Sequence, residues 1–431
     1  MAKLFTTLWT THRAATIAVT VGLVAAIGVG GWLVLRNPGS SEETTTSASA
    51  PAPAPPPAPA APQTTDWPTY GLDAARARYM PTRRVRPPYK VAWTYDARHL
   101  MEYSPIVVGD TLYGIDNNGE AFALNTRNGK QRWRRDVATL NASAPTYSDG
   151  RLYVSNLEPG QVQALKARTG KVAWHNSLPG RTESSPLVVG DEVIAGCECA
   201  SVYAFDKRSG KQLWSTPVGG AVKASPAFSN GVVYVGDYSG EMTAIRASNG
   251  QVKWQTSVGN SIYGTATVAF GHVYAGDLGG SFHAFDEDTG SLSWSSSTGG
   301  YVYSAAAAAK THDTPPTVYF GSYDGTVYAL NARTGSQRWS EFANGPVSGA
   351  GSVVGDIFYV GDLKTTQTFG FRASDGKEVF ASLDGAYNPV ISDGQKLYMT
   401  GYRVIYALKP AKGRSENGFV LRGKKKAHVA A

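Results

Sequence analysis

The sequence predicts an all-β fold, an eight-bladed β-propeller, from three observations. A Trp recurs through the 431 residues at intervals of 40 to 45 residues, and a Gly lies four residues before every Trp of the series except the first. Short runs of alternating hydrophobic residues fill the intervals, enough for four strands in each. Four short strands in about 40 residues are typical of a propeller blade.

The composition narrows the class of protein further. Hydrophobic residues make up 42% of the chain and there are ten Trp, so the chain as a whole is not intrinsically disordered. Two Cys are too few for a disulfide-stapled scaffold or a multi-cysteine metal module. The 48 Gly indicate many tight turns.

The N-terminal region predicts a membrane anchor. Residues 14–35 carry no charge and, at ~1.5 Å per residue, form a helix long enough to cross a bilayer. Lys3 and Arg13 precede this run and Arg36 follows it, which favours a cytoplasmic N-terminus for residues 1–13 and a body outside the cytoplasm. We therefore expect a single-pass cell-membrane protein with an uncleaved transmembrane helix; a cleaved signal peptide is the alternative.

A linker follows the predicted helix. Residues 36–65 are rich in Pro, Ala and Thr, with Pro alternating with Ala from Pro51 onward. Such a composition does not bury apolar surface, so we expect a disordered spacer with extended polyproline segments.

The repeat itself occupies residues 66–410. Its Trp series is Trp93, Trp133, Trp174, Trp214, Trp254, Trp294 and Trp339, with Phe380 in the eighth place. Its Gly series is Gly129, Gly170, Gly210, Gly250, Gly290, Gly335 and Gly376. The glycines follow Asn, Asp, Ser or Thr, as in tight hairpin turns. We expect the Trp rings to fill the wedge between neighbouring blades.

Counting the strands predicts how the ring closes. Sets of three strands occur eight times between residues 103 and 410, and the last set lacks an outer strand. The strand at residues 90–95 is left over, so we expect it to complete the last blade and leave no sheet edge bare. Residues 411–431 are then a basic C-terminal tail.

One repeat carries a family resemblance. Residues 204–214, AFDKRSGKQLW, closely match the A-x-D-x-x-T-G-K-x-x-W pattern of the pyrroloquinoline-quinone-like (PQQ-like) repeats. The resemblance extends over about residues 66–410, and residues 66–73 look like the lead-in of such propellers. Two groups share these repeats: quinoprotein alcohol dehydrogenases and the non-enzymatic outer-membrane assembly factors of BamB type.

The resemblance to the dehydrogenases implies a place for a quinone. In that group a Glu just before the first Ser-Pro strand approaches PQQ, and Glu102 holds this position, with Glu183 equivalent two blades later. The adjacent cysteines, the calcium ligands and the W-D-x-D stretch of those enzymes are missing from the sequence. We therefore assign no catalytic residue, metal ligand or bound cofactor; Glu102 and Glu183 are either weak PQQ contacts or funnel residues that are solvated or paired with Lys223.

Cys197 and Cys199 lie where other repeats have a Gly-Asp-x-x-Gly hairpin turn. Outside the cytoplasm they could form a disulfide that staples the turn. Free thiols, or redox or metal chemistry, are the alternatives.

These features favour a non-enzymatic scaffold for envelope or membrane proteins. A quinoprotein with an unusual site, and a small-molecule or glycan sensor that uses Tyr263 and Tyr303, are the alternatives. The sequence contains no Walker loop, no G-x-S-x-G and no H-E-x-x-H motif.

The net charge of +8 lies in two flanks of the propeller. Residues 76–98 and 409–426 each contribute +6, residues 1–65 contribute +1, and the remaining residues sum to −5. The closure brings the two flanks together, either as solvated tails or as a basic patch for anionic lipid, a wall polymer or an acidic partner. We expect no nucleic-acid partner.

Overall fold

The computed structural model describes residues 66–385, 387–413 and 415–420. The predicted transmembrane helix, the linker and residues 421–431 of the predicted tail lie outside these ranges. In the described part of the chain, no helix has the length and apolar character needed to cross a membrane.

The described residues form eight sheets arranged as the blades of a propeller, which confirms the predicted fold class. Two strands precede the first blade: β1 (Tyr79–Met80) and β2 (Tyr89–Asp96). Blades 1 to 4 consist of β3 (Ile106–Val108), β4 (Thr111–Ile115), β5 (Glu120–Asn125), β6 (Gln131–Asp136); β7 (Thr146–Ser148), β8 (Arg151–Asn156), β9 (Gln161–Lys166), β10 (Val172–Ser177); β11 (Leu187–Val189), β12 (Glu192–Cys197), β13 (Ser201–Asp206), β14 (Gln212–Pro217); β15 (Ala227–Ser229), β16 (Val232–Gly236), β17 (Glu241–Arg246), β18 (Val252–Ser257).

Blades 5 to 7 consist of β19 (Thr267–Ala269), β20 (His272–Gly276), β21 (Ser281–Asp286), β22 (Leu292–Ser297); β23 (Ala307–Ala309), β24 (Thr317–Gly321), β25 (Thr326–Asn331), β26 (Gln337–Phe342); β27 (Ser352–Val354), β28 (Ile357–Gly361), β29 (Thr368–Arg372), β30 (Glu378–Ser382). Blade 8 contains β31 (Ile391–Ser392), β32 (Leu397–Thr400) and β33 (Val404–Pro410), and the chain continues into β34 (Ser415–Glu416) and β35 (Phe419–Val420).

The ring is closed by β2, the surplus strand that the sequence predicts at residues 90–95. β2 pairs antiparallel with β33 along its whole length, with Trp93 opposite Ala407. Each of the eight sheets contains at least four strands from the described residues. These residues therefore supply a full set of four strands to every blade.

The last sheet extends past residue 410, the boundary that the sequence predicts for the propeller. β34 and β35 form a small hairpin, and β35 pairs in parallel with β2 through Phe419 and Tyr89. Residues 415–420 of the predicted tail thus add two strands to blade 8.

The seams between blades repeat one contact. Each Trp of the series donates its indole N–H to a backbone carbonyl of the next blade, at 2.8–3.2 Å. Each ring also covers the turn Gly of that blade: Trp93 lies over Gly129 and Trp339 over Gly376, and both glycines have positive φ. A side chain at such a Gly would occupy the space of the ring, so the two repeated residues form one structural unit.

The ring has two faces, which we call the mouth face and the base face. The mouth face carries the turns between the second and third strands of each blade and the connectors that lead to the first strands. The base face carries the other turns, among them those with the repeated glycines. Because each first strand runs along the central channel, its start lies at the mouth and its end at the base.

Residues 66–80 close the channel at the base. Their carbonyl oxygens accept 2.8–3.0 Å hydrogen bonds from first-strand amides of six blades. The amides belong to Val107, Tyr147, Phe228, Val268, Ala308 and Val353, and the carbonyls to Trp67, Pro68, Ala74, Ala75, Ala77 and Arg78. We call residues 66–80 the plug.

Two arginines lie inside the plug. Arg76 and Arg78 are fully buried, so two of the seven basic residues in the flank at 76–98 contribute nothing to a surface patch. The Arg76 guanidinium donates to the carbonyls of Pro186 and Pro226 at 3.2 and 2.9 Å, and to Thr69. Burial, with the Arg78 charge second, lowers the pKa of Arg76 to about 9.

Candidate functional site

The mouth of the channel is lined by one residue from each connector, at the position two residues before the Ser or Ala that opens most first strands. In blades 1 to 7 this position holds Glu102, Ala142, Glu183, Lys223, Tyr263, Tyr303 and Ser348. Both predicted funnel carboxylates therefore lie in the same ring, together with a cation and two phenols. We call this set the mouth ring.

Glu183 is the centre of a hydrogen-bonded group. Its Oε1 accepts from the Lys223 ammonium at 2.7 Å and its Oε2 accepts from the Tyr263 hydroxyl at 3.0 Å. All three side chains are half-buried. Both oxygens of Glu183 are thus engaged by residues of the next two blades, which agrees with the pairing alternative for this residue.

Glu102 has a different environment. Its Oε2 accepts a 3.1 Å hydrogen bond from the Asn117 amide, and no cation pairs with it among the described residues. Burial, reinforced by the nearby Glu183 charge, raises the pKa of Glu102 to about 7. This carboxyl is therefore partly protonated at neutral pH and could accept or donate a proton.

A second tier of residues comes from the turns between second and third strands. The second residue of these turns donates its backbone N–H to a connector carbonyl, as Asn117 does to Leu100 and Tyr238 to Ala221. Sequence reasoning missed Asn117 and Tyr238 as mouth residues. The signal for both is their place directly after the Asp of an Asp-x-x-Gly turn.

Cys197 and Cys199 occupy this type of turn in blade 3 and are joined by a disulfide. Cys197 Sγ accepts the backbone N–H of Cys199 at 3.1 Å, where Asp237 Oδ1 of the next blade accepts that of Ser239 at 2.8 Å. The sulfur thus takes the place of the carboxylate that caps other turns. Glu198, between the two cysteines, lies 3.6 Å from the Lys223 ammonium.

Tyrosine rings form the wall of blades 5 and 6. Tyr263 contacts Tyr303 edge to face with 5.0 Å between ring centroids, and Tyr303 contacts Tyr323 at 4.8 Å. Since the Tyr263 hydroxyl is bound to Glu183, the aromatic wall and the charged group are continuous.

The floor of the funnel is aromatic. Tyr103 packs edge to face on Tyr70 of the plug, with 5.5 Å between ring centroids, and the Arg78 guanidinium carbon lies 4.6 Å from the Tyr70 ring centroid on the base side. The Nε and Nη2 atoms of Arg78 have no hydrogen-bond partner among the residues that the structure describes. The Tyr70 ring is the nearby π acceptor for this buried cation. The mouth therefore opens into a blind funnel.

One group outside the mouth ring has the residue types of a metal site. His99, Asp116 and Glu120 present ligand atoms within 4.8 Å of one another. Arg134 already occupies this place, since it contacts Glu120 and donates to Asp116 at 2.9 Å. The arrangement is accordingly an ion-pair cluster, which sequence reasoning did not identify.

The rim of the mouth face carries exposed apolar side chains on adjacent blades. Tyr301 and Phe342 of blade 6 are 48% and 62% exposed, Leu383 after β30 of blade 7 is 75% exposed, and Tyr402 of blade 8 is 57% exposed. We call these four residues the apolar rim. Clusters of large exposed apolar residues mark interaction surfaces more often than isolated ones do.

Comparison with known proteins agrees with the repeat pattern. A sequence profile described as outer membrane protein assembly factor BamB matches residues 90–223 and 198–416, which together span most of the chain. The chain belongs to this family.

The chain is similar both to BamB proteins and to quinone enzymes. BamB of Pseudomonas aeruginosa is 33% identical over 92 residues, which are 21% of this chain and 23% of that protein. The 1-butanol dehydrogenase (cytochrome c) of Thauera butanivorans is 29% identical over 154 residues, which are 30% of this chain and 22% of the enzyme. The matches thus cover less than a quarter of either relative.

A solved structure has the same fold. The crystal structure of BamB from Moraxella catarrhalis superposes with a TM-score of 0.64 at 19% identity and covers 74% of this chain and 99% of that one. The predicted relationship to PQQ-like propellers, to BamB and more distantly to quinoprotein alcohol dehydrogenases is therefore confirmed.

Proposed function

We propose that this protein is a non-enzymatic scaffold that binds or helps to assemble membrane or envelope proteins. In this proposal the N-terminal segment anchors it in the cell membrane and the propeller lies outside the cytoplasm. The observation that carries the proposal is the apolar rim, Tyr301, Phe342, Leu383 and Tyr402, on the mouth face of blades 6 to 8. Aromatic side chains of this kind are enriched at protein interfaces. The name of the BamB relatives supports a role in envelope assembly.

The test is a pulldown of the full chain from cross-linked cells. Phe342→Ser combined with Leu383→Ser removes most of the exposed apolar surface of the rim. Val252→Ser combined with Leu292→Ser is the matched control, since these residues are 46% and 49% exposed on outer strands of blades 4 and 5. We expect the rim variant to lose a specific envelope protein that the control retains. Equal recovery by both variants would contradict the proposal.

A PQQ-dependent dehydrogenase is the second candidate, and Glu102 is the observation that favours it. With a pKa raised to about 7 by burial, this carboxyl is suited to accept a proton at neutral pH. The charges at the mouth argue against the cofactor. PQQ carries three carboxylates, whereas the site presents Glu102, Glu183 and Glu198 and a single ammonium already engaged by two of them. These residues do not fit a polyanionic quinone.

Ligand-induced stabilisation separates the two candidates. A cofactor that binds the folded protein raises its melting temperature by mass action. We expect no shift when PQQ and Ca²⁺ are added to the purified protein. A shift that Glu102→Gln abolishes would establish the dehydrogenase-like alternative.

A further inference from the structure

A basic groove lies on the base face, on the side opposite the mouth ring. Two adjoining cavities of about 580 and 400 Å³ share Arg86 and Asp356 in their walls. The first is lined further by Tyr79, Thr82 and Arg83 of the segment after the plug, and the second by Arg372 and Lys377 of blade 7. We call the two cavities together the base groove.

The charges around the base groove are unbalanced. Arg86 pairs with Asp356 at 2.8 Å and Arg372 pairs with Asp375 at 2.7 Å. The exposed side chains of Arg83, Arg84 and Lys377 form no ion pair with described residues, and three further exposed lysines follow at the base end of blade 8: Lys90, Lys409 and Lys412. Asp313, in the wall of the first cavity, pairs with His312 at 2.6 Å. The walls of the base groove therefore hold four cationic side chains and two carboxylates.

The arginines are presented by a fixed segment. Met80 is tied to blade 7 through its carbonyl, which accepts from Gly355 N at 2.9 Å, and the Val85 side chain is fully buried. The Tyr89 hydroxyl, at the start of β2, bonds to that of Tyr359 at 2.7 Å in the interior. Since both ends and the middle of the segment are held, the arginines on either side of Val85 project from a rigid support.

The base groove lies on the same face of the propeller as Asp66. Asp66, the first described residue, accepts a hydrogen bond from Gly109 N at 2.8 Å in a base-face turn of blade 1. The described part of the chain therefore begins on the face that carries the groove. The mouth face, with the apolar rim, is on the opposite side.

We propose that the base groove binds phosphate groups of anionic phospholipids, so that the base face rests on the membrane surface and the mouth face is directed away from it. Basic residues near an anionic leaflet are attracted by its surface potential, and arginine forms paired hydrogen bonds to phosphate oxygens. The inference rests on the proposed function only for the presence of a nearby membrane. It requires no protein partner.

The experiment measures binding of residues 57–431 to vesicles, since this segment is one compact unit and its described residues supply four strands to every blade. Vesicles of phosphatidylcholine mixed with phosphatidylglycerol are compared with pure phosphatidylcholine, with inorganic phosphate as a competitor. We expect binding to the anionic vesicles alone. Millimolar inorganic phosphate should reduce it only slightly; full displacement would identify a site for free phosphate and overturn the lipid assignment.

A matched pair of variants locates the site. Replacing Arg83, Arg84 and Lys377 by Gln removes two charges from the walls of the groove and that of Arg84, next to Arg83 in the chain. Replacing Lys130, Lys171 and Lys211 by Gln removes three exposed charges from base-face turns of blades 1 to 3. At about fivefold per charge, we expect the groove variant to bind on the order of 100-fold more weakly. We expect the control to bind as the unchanged protein does.

Two results would overturn the inference. Equal weakening in the two variants would show a diffuse attraction of the whole face, and unchanged binding in the groove variant would place the site elsewhere. Melting temperatures of both variants show whether each is folded, because all six residues are exposed. Failure of the pulldown to recover an envelope protein, with vesicle binding retained, would contradict the proposed scaffold and leave this inference intact.

Discussion

Gly418 lies against the ring of Phe380 in the seam between blades 7 and 8, with φ of +78°. In the other seams the equivalent Gly belongs to the turn between the third and fourth strands of the next blade. Blade 8 has no such turn, because its fourth strand is β2, from the other end of the chain. The C-terminal hairpin supplies the missing Gly, and Phe419 packs on Phe380 with 5.1 Å between ring centroids.

Removal of the hairpin should therefore loosen the closure. A chain that ends at residue 413 loses the contacts of Gly418 and Phe419 with Phe380, and the bond from Tyr89 N to the Gly418 carbonyl. We expect a loss of about 2 kcal/mol, seen as a melting temperature lower by a few degrees. A chain that ends at residue 420 keeps the hairpin and is the control. Equal melting temperatures for both truncations would mean that the hairpin does not stabilise the ring.

The seam glycines allow a second matched comparison. Gly376 and Gly150 have the same φ of +75°, but a Cβ at Gly376 would lie 2.9 Å from Trp339, whereas nothing lies within 4 Å of one at Gly150. Both changes to Ala add backbone strain of about 1–2 kcal/mol. We expect Gly376→Ala to cost ~1–3 kcal/mol more, because the Trp339 ring must move. Denaturant unfolding measures the difference. Equal losses of unfolding free energy for the two variants would show that the Trp339 ring moves at little energetic cost.

The repeat could be predicted from sequence because its signals are local. Trp339 and Gly376 recur at fixed spacing, and the surplus strand at residues 90–95 follows from counting. The pairing of Glu183 with Lys223 was one of the alternatives for the same reason, since the two residues hold equivalent positions in adjacent blades. Because the blades repeat regularly, residues that are one repeat apart in the sequence lie next to each other in adjacent blades.

The contacts of the plug and of the C-terminal hairpin do not recur at a fixed spacing in the sequence, so the repeat does not predict them. Arg76 is buried because carbonyl groups of blades 3 and 4, at Pro186 and Pro226, lie where its guanidinium needs acceptors. These acceptors are more than 100 residues away in sequence and carry no side-chain signal. The basic flank therefore looks like surface in the sequence, although part of it is the core of the channel.

The two buried arginines should differ in importance. Arg76→Met leaves the carbonyls of Pro186 and Pro226 without donors, and we expect a loss of ~3–5 kcal/mol. Arg78→Met keeps most of the side-chain volume and removes the 2.7 Å hydrogen bond from Nη1 to the Arg76 carbonyl, which still accepts from the Thr267 hydroxyl at 3.2 Å. The other two nitrogens of Arg78 have no hydrogen-bond partner among the described residues. We expect Arg78→Met to cost less than ~1.5 kcal/mol. Chemical unfolding of the two variants checks this order, and a larger loss for Arg78→Met would refute the account of the plug.

The raised pKa of Glu102 predicts how stability depends on pH. Burial, with the Glu183 charge second, raises this pKa to about 7 from a model-peptide value near 4.3, so the folded protein holds a proton that the unfolded chain releases between these values. Stability should fall as pH rises through this window and change no further above it. At about 1.4 kcal/mol per pKa unit, the size is roughly 3–4 kcal/mol.

Glu102→Gln isolates this contribution, because the amide is neutral at every pH and similar in shape. We expect the variant to melt at a higher temperature than the unchanged protein at pH 8, and at nearly the same temperature at pH 5. Glu241→Gln is the control, since this carboxylate lies at the start of β17 in blade 4 and accepts a hydrogen bond from the Gln255 amide at 2.5 Å. If the melting temperatures of Glu102→Gln and of the unchanged protein depend on pH in the same way, Glu102 is ionised in the funnel like an ordinary carboxylate. The observation that favours the dehydrogenase alternative is then lost.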